Sequence, residues 1–534
     1  MIESLFFIAD NKKQAIDFSW TNAFKVAINL PNKTNSFDIE INFSESCVSF
    51  RNHDYSWVDL TQNRIAGAFC SKILKLLNGK FVQPSQNVGI WCVNAQNPKQ
   101  LIWKFNPEFS NPITEYSGKN NIKKIVAANS VLEINSLELL FSTSALELSR
   151  SKIPFSAIAC FTDHCDYDTL SNLQMQREFF KKLNLKTTKG FFLNHFSKRK
   201  DNASVENDKA ELQKWIDDQH ELCYHSLSQS IKTDEQSWKD FTDFQAPFEN
   251  VTTWIDHGFQ PYNFSLYKNN SKSDDYFESV LTKNKIKILW NYIDCGMATN
   301  GVINQLNSNQ FTLNKYWNSI KKMPFKSRMV KLIKAIIFHY DNDKNRVRNY
   351  IDSISAIRQL VKNKNLLAIF SFIRNISPVT LMVLKSLLSW NSIKNKPFKV
   401  ALYTPVIFNH KINNSNFVVF QTLELVDFSN GLSKSNIDLL MKENGLLIAH
   451  TYFSVDMKHH HGKLIKNDNQ FNEDAVQNFE YLALKIKEGS IWNPLLSELI
   501  AFLTDFTATI FDVDEKGTIF IKNNFDIPFT NIND

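Results

Sequence analysis

The chain has 534 residues, of which 43% are hydrophobic and 22% charged. That balance belongs to a folded globular protein of several domains and excludes a disordered chain. A net charge of +7 is mild for this length, so nucleic acid is not an expected partner, and only local clustering of charge can point to a membrane. Seven cysteines form no CxxC pair and no dense framework, as expected of free thiols in a reducing compartment.

The opening "MIESLFFIADNKK" places Glu3 before a very short apolar run, so no signal peptide is expected. No stretch approaches eighteen charge-free apolar residues, so no transmembrane helix is expected either, and the cytoplasm is the expected location. Residues 1–150 read as a separate α/β domain. "FDIEINF" alternates with period two, "VGIWCV" and "QLIWKF" are further strands, and "AFCSKILKLL" has the spacing of a short helix.

From residue 151 short apolar strands alternate with amphipathic helices. "PFSAIACFTD" ends at Asp163, "TTKGFFLNH" at His195, "HELCYH" at His225, "VTTWIDHG" at His257 and "IKILWNYID" at Asp294. Helices are expected over "LQMQREFFKKL" and over "ASVENDKAELQKWIDD", which Ser204 would cap. The alternation resumes with the single strand "FVVFQTLELV", the helix "KSNIDLLMKENG" and the strand "LLIAH", ending at His450. Such alternation predicts a parallel sheet, open or closed into a barrel, with its chemistry at the carboxyl ends of the strands. Between the two halves, residues 311–395 read as a helical insertion in which Pro378 kinks or ends a helix. Nine Lys and Arg face two Asp between Lys321 and Arg348, a pattern suited to peripheral contact of 321–390 with an anionic membrane. Residues 506–534 form a C-terminal β extension.

Three carboxylates and a histidine in "FTDHCDYD" suit metal ligation or acid–base work. Together with "HELCYHSLSQ", "WIDHGFQPYN", "WNYID" and "LLIAH" in that order, the chain resembles the polysaccharide deacetylase superfamily, carbohydrate esterase family four. The resemblance covers roughly 151–310 and 396–505. It implies a distorted (β/α) barrel and metal-dependent removal of an acetyl group from an amino sugar of a cell-envelope polysaccharide or its precursor; membrane contact through the basic insertion would suit a lipid-linked glycan precursor. It also implies a divalent metal, zinc by expectation, with Asp163 as catalytic base and His450 as acid.

Three positions depart from the family pattern. His164 stands where the family has its metal-binding Asp, so that ligand is either His164 or displaced to Asp166. Gln229 replaces the second metal histidine, and Phe259 replaces an arginine. With His225 as one ligand, His257 on the next strand end is the expected substitute for Gln229. His195, Tyr262 and Asp294 are expected to line the substrate groove, with one of His459, His460 and His461 as a further candidate. Two other readings compete: a non-catalytic glycan-binding or assembly protein that keeps the barrel, and a glycosidase using two carboxylates.

Overall fold

The computed structural model describes all residues except 32–33, 117–122, 131–135, 199–201, 322–323, 342, 389, 391–397, 455–460, 467–468, 524 and 534. The N-terminal region is built from antiparallel strands. One sheet has six strands and a second has seven, and no helix occurs among the described residues before Leu148. The expectation of an α/β domain is therefore corrected to all-β. Inward residues of both sheets, among them Ile39, Trp91 and Trp103 from one and Val26, Leu74 and Leu139 from the other, share one core. The segment read as a helix supplies strand Leu74–Leu76, which pairs with Phe81–Pro84 and Cys47–Arg51. Its L-K-L alternation buries both leucines, and that pairing overrides helical spacing.

The second half contains a curled sheet of ten strands in an unbroken order, with the short strand Ile491–Trp492 beside it. Numbered in chain order, these are β1 (Ala157–Asp163), β2 (Thr188–Phe191), β3 (Glu221–His225), β4 (Thr253–Ile255), β5 (Ile288–Trp290), β6 (Asp294–Met297), β7 (Ile407–Ile412), β8 (Ser415–Phe420), β9 (Thr422–Leu425) and β10 (Leu446–Thr451). Their order is β6-β9-β10-β1-β2-β3-β4-β5-β8-β7, and every pair is parallel except β7 with β8. β5 runs into β6 through Asn291 to Ile293, and β8 runs into β9 through Gln421 alone. The same two stretches of chain thus pair at both ends of the order, and this makes the α/β fold barrel-like. The Trp290 indole donates to Thr422 Oγ1 (2.8 Å), whose hydroxyl donates to Asp294 Oδ1 (2.6 Å), across that seam. The run "FVVFQTLELV" is accordingly two strands rather than one.

Side chains alternate between the two faces of this sheet. Ile158, Cys160, Cys223, Ile255, Trp290 and Ile448 belong to the core shared with the N-terminal sheets. Ala159, Phe161, Tyr224, Trp254, Leu289 and Ala449 belong instead to the core beneath the helices. Helices Leu170–Leu183 and Val205–Asp217 match the expected spans, the first capped by Thr169 accepting from the Asn172 N–H. Ser204 stands at the N-terminus of the second without a side-chain cap bond. At the C-terminus, Phe529–Asn533 pairs with Ser144–Leu148, so the extension returns to the N-terminal region.

The insertion holds helices Leu313–Ser319, Phe325–Ala335, Lys344–Asn363 and Ala368–Leu388. Pro378 lies inside the last of these rather than ending it. That helix is long and apolar enough to cross a bilayer by length and composition, with 17% of its most apolar window buried. Arg374 and Lys385 interrupt its apolar run, so it holds no charge-free stretch of eighteen residues, in keeping with the sequence reading.

Candidate metal centre

Register decides which groups meet at the strand ends. β1 pairs with β10 at Thr162–His450 and Asp163–Thr451, β3 with β4 at His225–Ile255, and β4 with β5 at Ile255–Trp290. Positions paired this way in parallel neighbours share a face, so His225, Trp290 and His450 all lie on the inner face. Just beyond β1, His164 joins them. Its ring stacks on His450 at 3.9 Å, meets His225 at 4.5 Å and stands edge-on to Trp290 at 4.9 Å. Gly190 of β2 gives this face its room. A Cβ there would stand 2.5 Å from the Asp163 carbonyl oxygen and 3.3 Å from the His225 Cβ.

Asp166 is the hub. Its Oδ2 accepts from His225 Nε2 at 2.9 Å and its Oδ1 from His257 Nδ1 at 3.1 Å. Two imidazoles beside it outweigh burial and hold its carboxyl well below the ordinary range. His164, Asp166 and His225 each offer a ligand atom within 4.8 Å of the others. Burial pushes the His225 imidazole down to about 4, and burial with the neighbouring His450 and His225 pushes that of His164 well below its usual value. Both rings are therefore neutral at physiological pH, the form that ligates metal. His225 Nδ1 is buried without a hydrogen-bond partner. Two imidazoles and a carboxylate form a donor set of the kind that can hold a divalent metal.

The substitute for Gln229 has a different place. The rings of His225 and His257 lie 4.7 Å apart, close enough to share an ion. Yet His257 Nε2 donates to the Gln229 carbonyl oxygen at 2.7 Å while Nδ1 donates to Asp166. Both partners are acceptors, and the Asp166 carboxylate raises the His257 pKa despite burial. His257 is not one of the three donors that lie within 4.8 Å of one another, and it steadies Asp166 instead. Gln229 itself turns its amide to Ser197, whose hydroxyl donates to Oε1. Gln229→Ala keeps the backbone carbonyl and should leave zinc occupancy, measured by elemental analysis, within about twofold.

Beside this group lies a dyad. His450 Nδ1 donates to the Asp294 carboxylate at 3.1 and 3.2 Å, and its Nε2 is buried without a partner. Burial opposes the charge of His450, but Asp294 and then Glu424 raise its pKa above the ordinary value. Asp294, expected in the substrate groove, is in the site with a different task. Glu424 was missed. It pairs in register with His450, and the alternation in "TLELV" was the signal that it faces inward.

Asp163 is corrected more sharply. It is adjacent to His164 and therefore faces the helices. There Lys189 Nζ donates to Asp163, to Asp168 and, at 2.8 Å, to Gln176 Oε1. Asp163 Oδ1 also accepts from Thr451 Oγ1 and the Phe453 N–H, both at 3.1 Å. All of Asp163, Asp168 and Lys189 are buried. Two carboxylates share one ammonium, so burial together with Asp168 outweighs Lys189 and raises Asp163 to about 6. Asp163 is a buried structural charge, not a base beside the cluster.

Tyr262 is likewise packing. Its ring stacks on Phe241 at 5.0 Å, and its hydroxyl lies 3.4 Å from Ser226 Oγ. His195 is not among the rings that meet at the cluster. Its backbone N–H donates to Glu206 at 2.7 Å, and Phe192 is the side chain of this loop set against His225 and His257. His459 and His460 lie outside the described residues, and His461 is exposed. A wall unforeseen in the sequence comes from the N-terminal region. Hairpin Pro112–Tyr116/Lys123–Ala127 leans on the sheet through the Tyr116 N–H donating to Ser265 O (2.8 Å). The Tyr116 ring stands 5.6 Å from Tyr292 and 5.8 Å from Phe259.

No family model matches the sequence, and no curated protein matches it. Among solved structures, the chain is similar to a GH31 α-xylosidase from a soil metagenome in complex with xylose, at 10% identity, covering 49% of this chain and 39% of that one, TM-score 0.20. It is also similar to a xylosidase from Aspergillus niger, at 8% identity, covering 55% and 42%, TM-score 0.19. A GH31 dextranase of Flavobacterium johnsoniae with isomaltotriose gives 8% identity, 91% and 62% coverage and a TM-score of 0.27. The chain spans less than two thirds of the length of each, and similarity at these scores carries no argument about activity.

Proposed function

We propose that the chain is a metal-dependent hydrolase of the polysaccharide-deacetylase type, removing an acetyl group from an amino sugar of a cell-envelope glycan or its precursor. One observation carries this reading. A three-donor group, His164, Asp166 and His225, stands directly against a carboxylate-oriented histidine with a free Nε2, at the carboxyl ends of parallel strands. A divalent ion held by those three residues would supply Lewis acidity and lower the pKa of water. The chain's own groups then divide the work. In its neutral form His450 Nε2 would take the proton of the attacking water and return it to the departing amine, Asp163 being turned away. Asp294 fixes the Nδ1–H tautomer and stabilises the imidazolium that forms between the two transfers. His257 holds Asp166 in place, and the rings of Trp290, Tyr292 and Tyr452 offer apolar walls suited to a sugar face.

A second reading has a specific observation behind it. The family's base position is occupied by Asp163, which faces the helices, as a barrel retained for glycan binding without catalysis would allow. Acetate release separates the two. Zinc-loaded, untagged protein should release acetate from N-acetylated chito-oligosaccharides, and His450→Ala should lower the rate by about a hundredfold or more. Asp294→Asn should lower the pKa of His450, read by NMR titration of its ring. Glycan binding without acetate release in the zinc-loaded protein would establish the non-catalytic reading instead.

A further inference from the structure

Helix Ala368–Leu388 is built inside out for water. Its buried positions are Ala368, Asn375, Val379 and Ser386, which are small or polar. Its exposed positions include Ile369, Phe370, Ile373, Leu381, Leu384 and Leu388. A water-facing helix normally hides its large apolar side chains and exposes its polar ones. Small residues packed inward with large apolar residues outward is the arrangement of helices bathed in lipid. The partner helix Lys344–Asn363 follows the same rule, burying Val347, Ser353 and Ala356. The two are joined by a turn at 364–367; Val347 and Val379 share a small core with Ile337 of the preceding segment, and Met382, Val383 and Leu387 pack against the main core.

Apolar exposure is high at the tip, and Leu388 at the other end of the helix is 89% exposed. Leu366, Leu367 and Phe370 are 71%, 76% and 74% exposed, with Lys362, Lys364 and Arg374 exposed beside them. Twelve of the 22 exposed large apolar side chains among the described residues fall within 325–388. Charge is segregated in the same place. Residues 321–390 hold fourteen Lys and Arg against three acidic residues, whereas the rest of the chain carries a slight excess of acid.

We propose that this hairpin docks on an anionic lipid bilayer, with Leu366, Leu367 and Phe370 dipping into the acyl boundary and the surrounding lysines and arginines held among the headgroups. The occupant follows from the charge. A neutral apolar partner gives no reason for the basic excess, and a polyanion in water gives none for the bare leucines. Crossing the bilayer is excluded for the pair, because Lys344–Asn363 contains five basic residues and Asp352. The hairpin therefore lies in the interface as a monotopic anchor. The inference does not depend on the hydrolase reading.

Flotation of the full-length protein with vesicles tests it. Vesicles of phosphatidylcholine containing about a third phosphatidylglycerol should recover at least roughly tenfold more protein than phosphatidylcholine alone. Raising the salt concentration should diminish that difference. A Leu366→Glu/Leu367→Glu/Phe370→Glu variant should lose recovery on anionic vesicles while melting like the parent, since all three side chains are exposed. Charge reversal of Lys362 and Lys364 gives an independent second variant with the same expectation. Equal recovery on both vesicle types, recovery on neither, or undiminished recovery of both variants overturns the proposal. Recovery on neither, with self-association that the triple variant abolishes, would assign the face to a second copy of the chain.

Discussion

Lys189→Met is expected to destabilise the folded chain by about 3–5 kcal/mol at neutral pH, because it leaves Asp163 and Asp168 facing each other in the interior without a cation. Burial works against the charge of Lys189, yet the two carboxylates hold its pKa above the ordinary value, so the ammonium persists throughout the physiological range. Urea unfolding measures the loss. An Asp163→Asn/Asp168→Asn/Lys189→Met combination, neutral throughout, should recover much of it, and failure to do so would mean that packing rather than charge sets the cost. The pH dependence has a definite sign. Asp163 titrates near 6 in the folded chain against an ordinary 3.8, so between those values the folded state binds a proton that the unfolded state does not. The stability contributed by this group is fully present below 3.8 and is lost as pH rises through about 6. Asp163→Asn should flatten that part of the profile and leave zinc binding unchanged. Loss of zinc in this variant would return Asp163 to the metal site.

His225→Ala should lower zinc affinity by well over a hundredfold, whereas His257→Ala should cost about ten- to a hundredfold, the range of a group that acts through a ligand. The difference rests on hydrogen-bond partners. His225 has a nitrogen without a partner, while both nitrogens of His257 donate to oxygen acceptors. Titration calorimetry with zinc on both variants decides the matter. Equal losses would place His257 among the ligands.

How much of this was legible beforehand depended on whether a strand kept one face in contact with polar surroundings. The positions of β1, β3 and β10 could be read from their apolar runs and from the polar residues that end them. The orientation of Asp163 could not. "AIACFTD" is buried on both faces, so no alternation of apolar and polar residues tells whether Asp163 or His164 points inward. Register with β10 settles it, and register is a property of the assembled sheet. The displaced ligand Asp166 could be named because it lies in the same loop as His164, but its clamp by two histidines from separate strands could not. In the N-terminal region the helix expected at "AFCSKILKLL" failed because cross-strand partners far along the chain outweigh local spacing. Tyr116 could not be placed beside Phe259 at all. A residue some 140 positions from Phe259 reaches it only through a hairpin leaning on the sheet.

The seam where β5 and β6 meet β8 and β9 has a kinetic consequence. Between Met297 and Ser415 the chain runs through the whole insertion before the seam can close. Bringing such distant ends together costs about 4 kcal/mol in loop entropy, and nothing returns until the seam forms. The β1–β5 ladder, whose neighbours follow one another closely in sequence, can assemble first. Until β8 arrives, β5 is an open edge with unpaired backbone groups, as is β10 until β9 joins it. Refolding should therefore pass through a species with the early ladder formed and the late strands loose, prone to self-association at high concentration. Because Trp290 donates to Thr422 only across the closed seam, its fluorescence marks that last event.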